Sequence, residues 1–131
     1  MNQELDALRH RFGRFLIPLL WAHVPLLAVI AQLSGRSVSQ ALGAGVFIAG
    51  AYHLTWHRHG TTPPTRFLSA VALVAEPAVI LALLNGHSWQ MDWHMYFFAM
   101  LALTIAWFDE RATLAAALVT GLHHLILLVL M

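Results

Sequence analysis

The sequence predicts an all-α protein, a polytopic transmembrane helical bundle of about five spans with its N-terminus in the cytoplasm. Three observations predict it. Of the 131 residues 60% are hydrophobic and 10% charged, with a mean hydropathy of +0.70, against roughly 45–50% apolar and about 25% charged residues in soluble domains. The apolar residues fall into runs long enough to cross a bilayer, which takes about 20 residues. The basic charge is all arginine, since Lys is absent, and it gathers at alternate connections, as cytoplasmic loops require.

The first run, Phe15–Leu33, follows Arg9, Arg11 and Arg14. It is too long for the apolar core of a secretory signal and has no small-residue cleavage site after it, so it reads as a retained anchor. Ser34-Gly35-Arg36 closes it, and the second run, Val38–Trp56, leads to the turn His59-Gly60-Thr61-Thr62-Pro63-Pro64 between Arg58 and Arg66. The third, Phe67–Leu84, ends at Asn85-Gly86-His87-Ser88, a loop without arginine. The fourth, Trp93–Phe108, is the shortest and follows Trp89, Gln90 and Asp92; Asp109-Glu110-Arg111 separates it from the fifth, Thr113–Met131. Connections this short make successive helices antiparallel neighbours. No repeat or linker divides the chain, which reads as one helical domain over residues 1–131. Its last residues, Leu128 to Met131, lie within a hydrophobic run, the pattern of a piece of a longer receptor or of a minimal domain.

Composition removes several functions. A net charge of +1 gives nucleic acid no basic footprint. Without Cys there are no disulfides, thiolate metal sites, c-type haem attachments or iron–sulfur clusters. No G-x-S-x-G, H-E-x-x-H or glycine-rich phosphate loop is present, and no Lys for a Schiff base, so no catalysis is expected.

Against this background stand nine histidines. An ionisable group at membrane depth is by default a functional-site hypothesis. Counting along the spans puts His23 and Glu76 near the midplane, and His123 and His124 at or just outside it. His94 falls within a turn of the outer surface beside Asp92, and His53 about a turn from the inner one. His10, His57, His59 and His87 fall at surfaces. Neutral imidazole is the commonest metal ligand, and each imidazole alone is equally served by a backbone carbonyl in the core. Pro25 and Pro77 free the carbonyls of Trp21 and Leu73, although proline is common in membrane helices.

Two cofactor chemistries suit these donors. Haem b needs histidines from different helices and small residues against which the macrocycle can lie. Ala41, Gly45, Ala49 and His53 share one helix face, as do Ala116, Thr120 and His124, with Ala117 and Gly121 beside them; such stripes equally serve close helix packing. The haem ligands are then drawn from His23, His53, His94, His123 and His124. Copper or zinc needs donors within roughly 2.0–2.2 Å of one point, drawn from His23, Glu76, His94, His123 and His124. Glu76, Asp92, Gln90, Trp89 and Tyr96 are candidates to support the ligands and fix their tautomers. A third reading is a small redox or proton-transfer subunit in which Glu76 and the histidines relay protons.

Glu76-Pro77-Ala78, the stretch from Gly86-His87-Ser88-Trp89-Gln90-Met91-Asp92-Trp93-His94 to Met95-Tyr96-Phe97-Phe98-Ala99, and Leu122-His123-His124-Leu125 form a distinctive set. With Leu8-Arg9-His10-Arg11-Phe12 and Ala51-Tyr52-His53, they make the chain resemble the N-terminal polytopic membrane region of bacterial methyl-accepting chemotaxis proteins and related sensory proteins such as histidine kinases. The resemblance covers most of the 131 residues. It implies an input domain of the bacterial inner membrane, surrounded by lipid and homodimeric, that passes a conformational signal to a cytoplasmic output. The last membrane helix, the HAMP-like connector and the signalling coiled coil of that pattern are missing from this sequence. The combined expectation is a sensory input domain that binds haem b for redox or gas sensing, with copper or zinc binding as the alternative.

Overall fold

The computed structural model describes residues 3–130; Met131, the expected end of the fifth span, lies outside them. The described residues form only helices and turns: α1 (Gln3–Ser34), α2 (Val38–His59), α3 (Pro63–Leu83), α4 (Gln90–His94), α5 (Tyr96–Thr104), a 3-10 turn (Ile105–Trp107) and α6 (Glu110–Leu130). Three of these helices, α1, α3 and α6, are long and apolar enough to cross a membrane. The 22 residues of α2 match them in length, but Gln40, three glycines and the His57-Arg58-His59 end dilute its apolar character.

Local chemistry sets the boundaries. Gly35 takes φ 72° at the end of α1. There the Arg36 amide donates to the Ala31 carbonyl at 2.8 Å and the Gly35 amide to that of Gln32, which is the Schellman closure that a left-handed glycine permits. Ser37 caps α2 by accepting from the Gln40 amide at 3.3 Å. Pro63 starts α3, where the missing N–H costs no helix bond. Asp109 precedes α6 and accepts the Arg111 amide at 3.0 Å.

The fourth segment departs from expectation. Instead of one helix over Trp93–Phe108, winding begins at Gln90, breaks after His94, resumes at Tyr96 and tightens into a 3-10 turn from Ile105. The break falls in Trp93-His94-Met95-Tyr96-Phe97-Phe98, whose aromatic and imidazole side chains lose rotamer freedom against the preceding turn. The segment ends at Phe108 with φ 52°, the left-handed region.

Central in the bundle, α3 packs against α1, α2, α4, α5 and α6. The main core joins Leu16 and Leu20 of α1, Tyr52 of α2, Leu73 and Val74 of α3, Phe97 and Met100 of α5, Trp107 and Ala116. The small-residue face of α2 is packed as well, Ala49 in this core and Ala41 in a smaller one with Leu27 and Ile80. Ala41 and Ala49 are each 1% exposed, and a Cβ on Gly45 would lie 3.2 Å from the Val24 Cα. Of the two uses open to that stripe, the structure takes close helix contact with α1, so Ala41, Gly45 and Ala49 offer no wall to a macrocycle.

Candidate functional site

The second half of α6 brings two imidazoles toward α4 and α5. On a helix, a histidine Nδ1 can reach back to the carbonyl four residues earlier, and His124 does so with Thr120 at 2.7 Å. A carbonyl only accepts, so Nδ1 carries the proton and Nε2 presents its lone pair. That Nε2 lies 2.9 Å from Nε2 of His94, at the end of α4, with the two rings 79° apart in plane. With both rings neutral, the His94 Nε2–H donates to His124. His123 stands on the adjoining face, its ring centroid 5.5 Å from that of His124. Its Nδ1 is enclosed and has no hydrogen-bond partner among the described residues. Phe97 touches all three rings, with centroids 5.8, 5.4 and 5.3 Å from His94, His123 and His124. A cavity of about 200 Å³ opens beside His123, lined also by Asn85 and Gln90.

A second pair lies deeper. His23, 3% exposed on α1, meets the Leu19 carbonyl through Nδ1 at 2.9 Å. Its Nε2 therefore accepts from the Tyr96 hydroxyl at 2.6 Å. Trp93 closes over Tyr96 edge-on, 5.5 Å between centroids. Glu76 is 0% exposed, and neither carboxyl oxygen has a hydrogen-bond partner among the described residues. It sits on α3, which packs against both α1 and α5, the helices that carry His23 and Tyr96. Enclosing a carboxyl group without partners is costly.

The other expected site residues fall elsewhere. His53 is on the exposed side of α2, where its Nδ1 accepts from the Trp21 indole at 3.2 Å; its face turns away from the His94–His124 pair. Asp92 is exposed and Trp89 is 49% exposed. Gln90 accepts from the Gly86 amide at 3.2 Å. The tautomers of His23 and His124 are set by the Leu19 and Thr120 carbonyls of their own helices, and Glu76 makes no hydrogen bond to either ring. Among the described residues no three His, Asp or Glu side chains converge as a metal site would, so His23, Glu76, His94 and His123 do not surround one point.

Asn85 is a lining residue that sequence reasoning passed over. It sits in a turn-forming Asn-Gly pair, a signal read as punctuation, and nothing in one sequence shows that the turn folds against His123. Compared with known protein families, curated proteins and solved structures, the chain matches none.

Proposed function

We propose that this chain is a membrane-embedded sensory input domain that binds haem b between His94 and His124 for redox or gas sensing. The observation that carries the reading is the facing pair of Nε2 atoms, 2.9 Å apart, contributed by two different chain segments. Haem iron takes at most two protein ligands, whereas a zinc site takes three or four, and the described residues bring imidazoles together as a pair rather than a cluster of donors.

His94 and His124 are the residues that would hold the iron: their Nε2 atoms face one another from different chain segments, and the His94 side can adjust, since the five residues of α4 include none that are buried. Thr120 holds His124 in the tautomer whose Nε2 carries no proton. When bound, haem supplies one-electron and diatomic-ligand chemistry; the protein orients the imidazoles and packs Phe97 beside them. The three apolar helices support a membrane protein, and the arginine distribution supports a cytoplasmic N-terminus with five crossings of a bacterial inner membrane as the proposed topology. The resemblance to chemoreceptor input regions supports the sensory role, with a homodimer and a cytoplasmic signalling partner as the implied assembly.

Absorption spectra of the purified protein, as isolated and after dithionite, together with metal analysis, test this. A Soret band that sharpens on reduction is expected, lost in His94→Ala and His124→Ala and kept in His53→Ala. A colourless protein with stoichiometric copper or zinc would overturn haem in favour of a His/Glu site. A colourless protein with neither would move the function to a second reading, proton transfer, which the buried His23–Tyr96 hydrogen bond and the buried, partnerless Glu76 favour.

A further inference from the structure

At the opposite end of the bundle lies a cavity that the histidine cluster does not use. It measures about 420 Å³ and is lined by Arg9, Arg66 and Arg111, by Asp109 and Glu110, and by Phe67 and Phe108. Both α3 and α6 start here, and each runs 21 residues, about 30 Å at 1.5 Å per residue, the thickness of a bilayer's hydrocarbon core. The cavity therefore lies at the level where acyl chains give way to headgroups.

The arginines are positioned rather than loose. Arg9 donates through Nε to the Trp107 carbonyl at 2.8 Å and through a terminal nitrogen to that of Phe108 at 3.0 Å. Arg66 donates through Nε to Asp109 at 2.7 Å and through a terminal nitrogen to the Thr61 carbonyl. A guanidinium carries five N–H donors, so both keep donors in reserve. The Asp109 carboxylate is already engaged twice, by Arg66 and by the Arg111 amide, which removes most of its power to repel an anion. Burial pushes the Asp109 carboxyl up, but the Arg66 hydrogen bond, the Arg111 amide and the charges of Arg66 and Arg9 outweigh it and hold it below the usual carboxylate range. Three guanidinium groups against two carboxylates leave the cavity with a surplus of one positive charge. Phe67 and Phe108, 58% and 60% exposed, present apolar surface at its rim.

We infer that this cavity binds a phosphate group, held by the forked donors of Arg9, Arg66 and Arg111. The flanking phenyl rings and the depth fit the headgroup of an anionic phospholipid, and free phosphate shares the same chemistry. Placing the protein in phosphatidylcholine nanodiscs with and without phosphatidylglycerol, then counting retained lipid by native mass spectrometry, tests the inference. At least tenfold preferential retention of one phosphatidylglycerol is expected. Arg111→Gln, which leaves the Asp109 and carbonyl contacts of the other arginines in place, should reduce it to the phosphatidylcholine level with unchanged helix content, and Arg36→Gln at the far end should not. A thermal shift with inorganic phosphate in phosphatidylcholine discs, absent in Arg111→Gln, would support the site with a soluble source. No preference for phosphatidylglycerol together with no response to phosphate, or equal retention in Arg111→Gln, overturns it.

Discussion

The two ends of this bundle are built differently. At the arginine end, side chains reach backbone carbonyls or other side chains across elements: Tyr52 donates to the Gly13 carbonyl at 2.9 Å, Trp107 to the Ser69 hydroxyl at 2.7 Å, Arg9 to two carbonyls and Arg66 to the Asp109 carboxylate. At the histidine end, α4 buries nothing, and the buried residues of α6, Ala112, Ala115 and Ala116, all lie in its first third. Leu125, Ile126, Leu128 and Val129 are more than half exposed. The long-range hydrogen bonds there join imidazole to phenol and imidazole to imidazole, with one from Arg36 to the Asn85 carbonyl at 3.0 Å. Elements that move on binding come from the less stable parts of a fold. Under the proposed function, ligand response belongs to the histidine end and anchorage to the arginine end.

The largest effect should come from breaking the ligand pair. His94→Ala or His124→Ala is expected to lower retained haem at least tenfold, measured by Soret absorbance per protein, while leaving thermal stability nearly unchanged because both rings are only partly buried. A large loss of melting temperature with haem retained would invert the comparison. Trp107→Ala should do the opposite. Its ring is 0% exposed, packs edge-on to Phe12 of α1 at 5.0 Å and donates to Ser69 of α3, so truncation should cost about 3–5 kcal/mol, read from circular dichroism melts, and loosen α1 from α3. Equal melting of His94→Ala and Trp107→Ala would remove the distinction between the ends.

A smaller effect attaches to Asp109. Its carboxyl titrates below its ordinary 3.8, so its contribution is fully present above that value and is lost as pH falls through the lowered one. Wild-type melting temperature should therefore drop below about pH 4, and Asp109→Asn should start about 1 kcal/mol less stable and show a flatter acid limb. An unchanged acid limb in Asp109→Asn would mean that the Arg66 contact contributes nothing.

Much of the architecture was legible in the sequence because burial in a membrane leaves a simple trace: α1, α3 and α6 fall where the apolar runs are, and Ser37, Pro63 and Gly35 mark boundaries by their own chemistry. The fourth segment was legible as apolar but not as broken, since hydropathy carries no information on how six consecutive bulky side chains share a helix surface. In the site, depth counting sets His94 within a turn of the outer surface and His124 near the midplane, so it foretells neither their meeting nor that of His23 with Tyr96, because depth says nothing about which way a helix is rotated. The small-residue stripe of α2 was ambiguous for the same reason, and only the approach of Gly45 to Val24 decides its use.

The finest test concerns how the arginine end is closed. Phe108 holds φ 52°, ψ 41°, a conformation that costs an L-residue roughly 1–2 kcal/mol, and it turns the Trp107 and Phe108 carbonyls toward Arg9. Phe108→Gly relieves that strain and loses little packing from a side chain 60% exposed, but adds about 0.5–1 kcal/mol of unfolded-chain entropy. The net change in stability should be within about 1 kcal/mol and favourable. Phe108→Val, β-branched in the same conformation, should be destabilised. If valine were tolerated as well as glycine, the left-handed turn would not be what orients the two carbonyls. The Arg9 contacts would then have to form the turn rather than follow from it, and Arg9→Gln would be expected to unfold the junction that Phe108→Gly leaves intact.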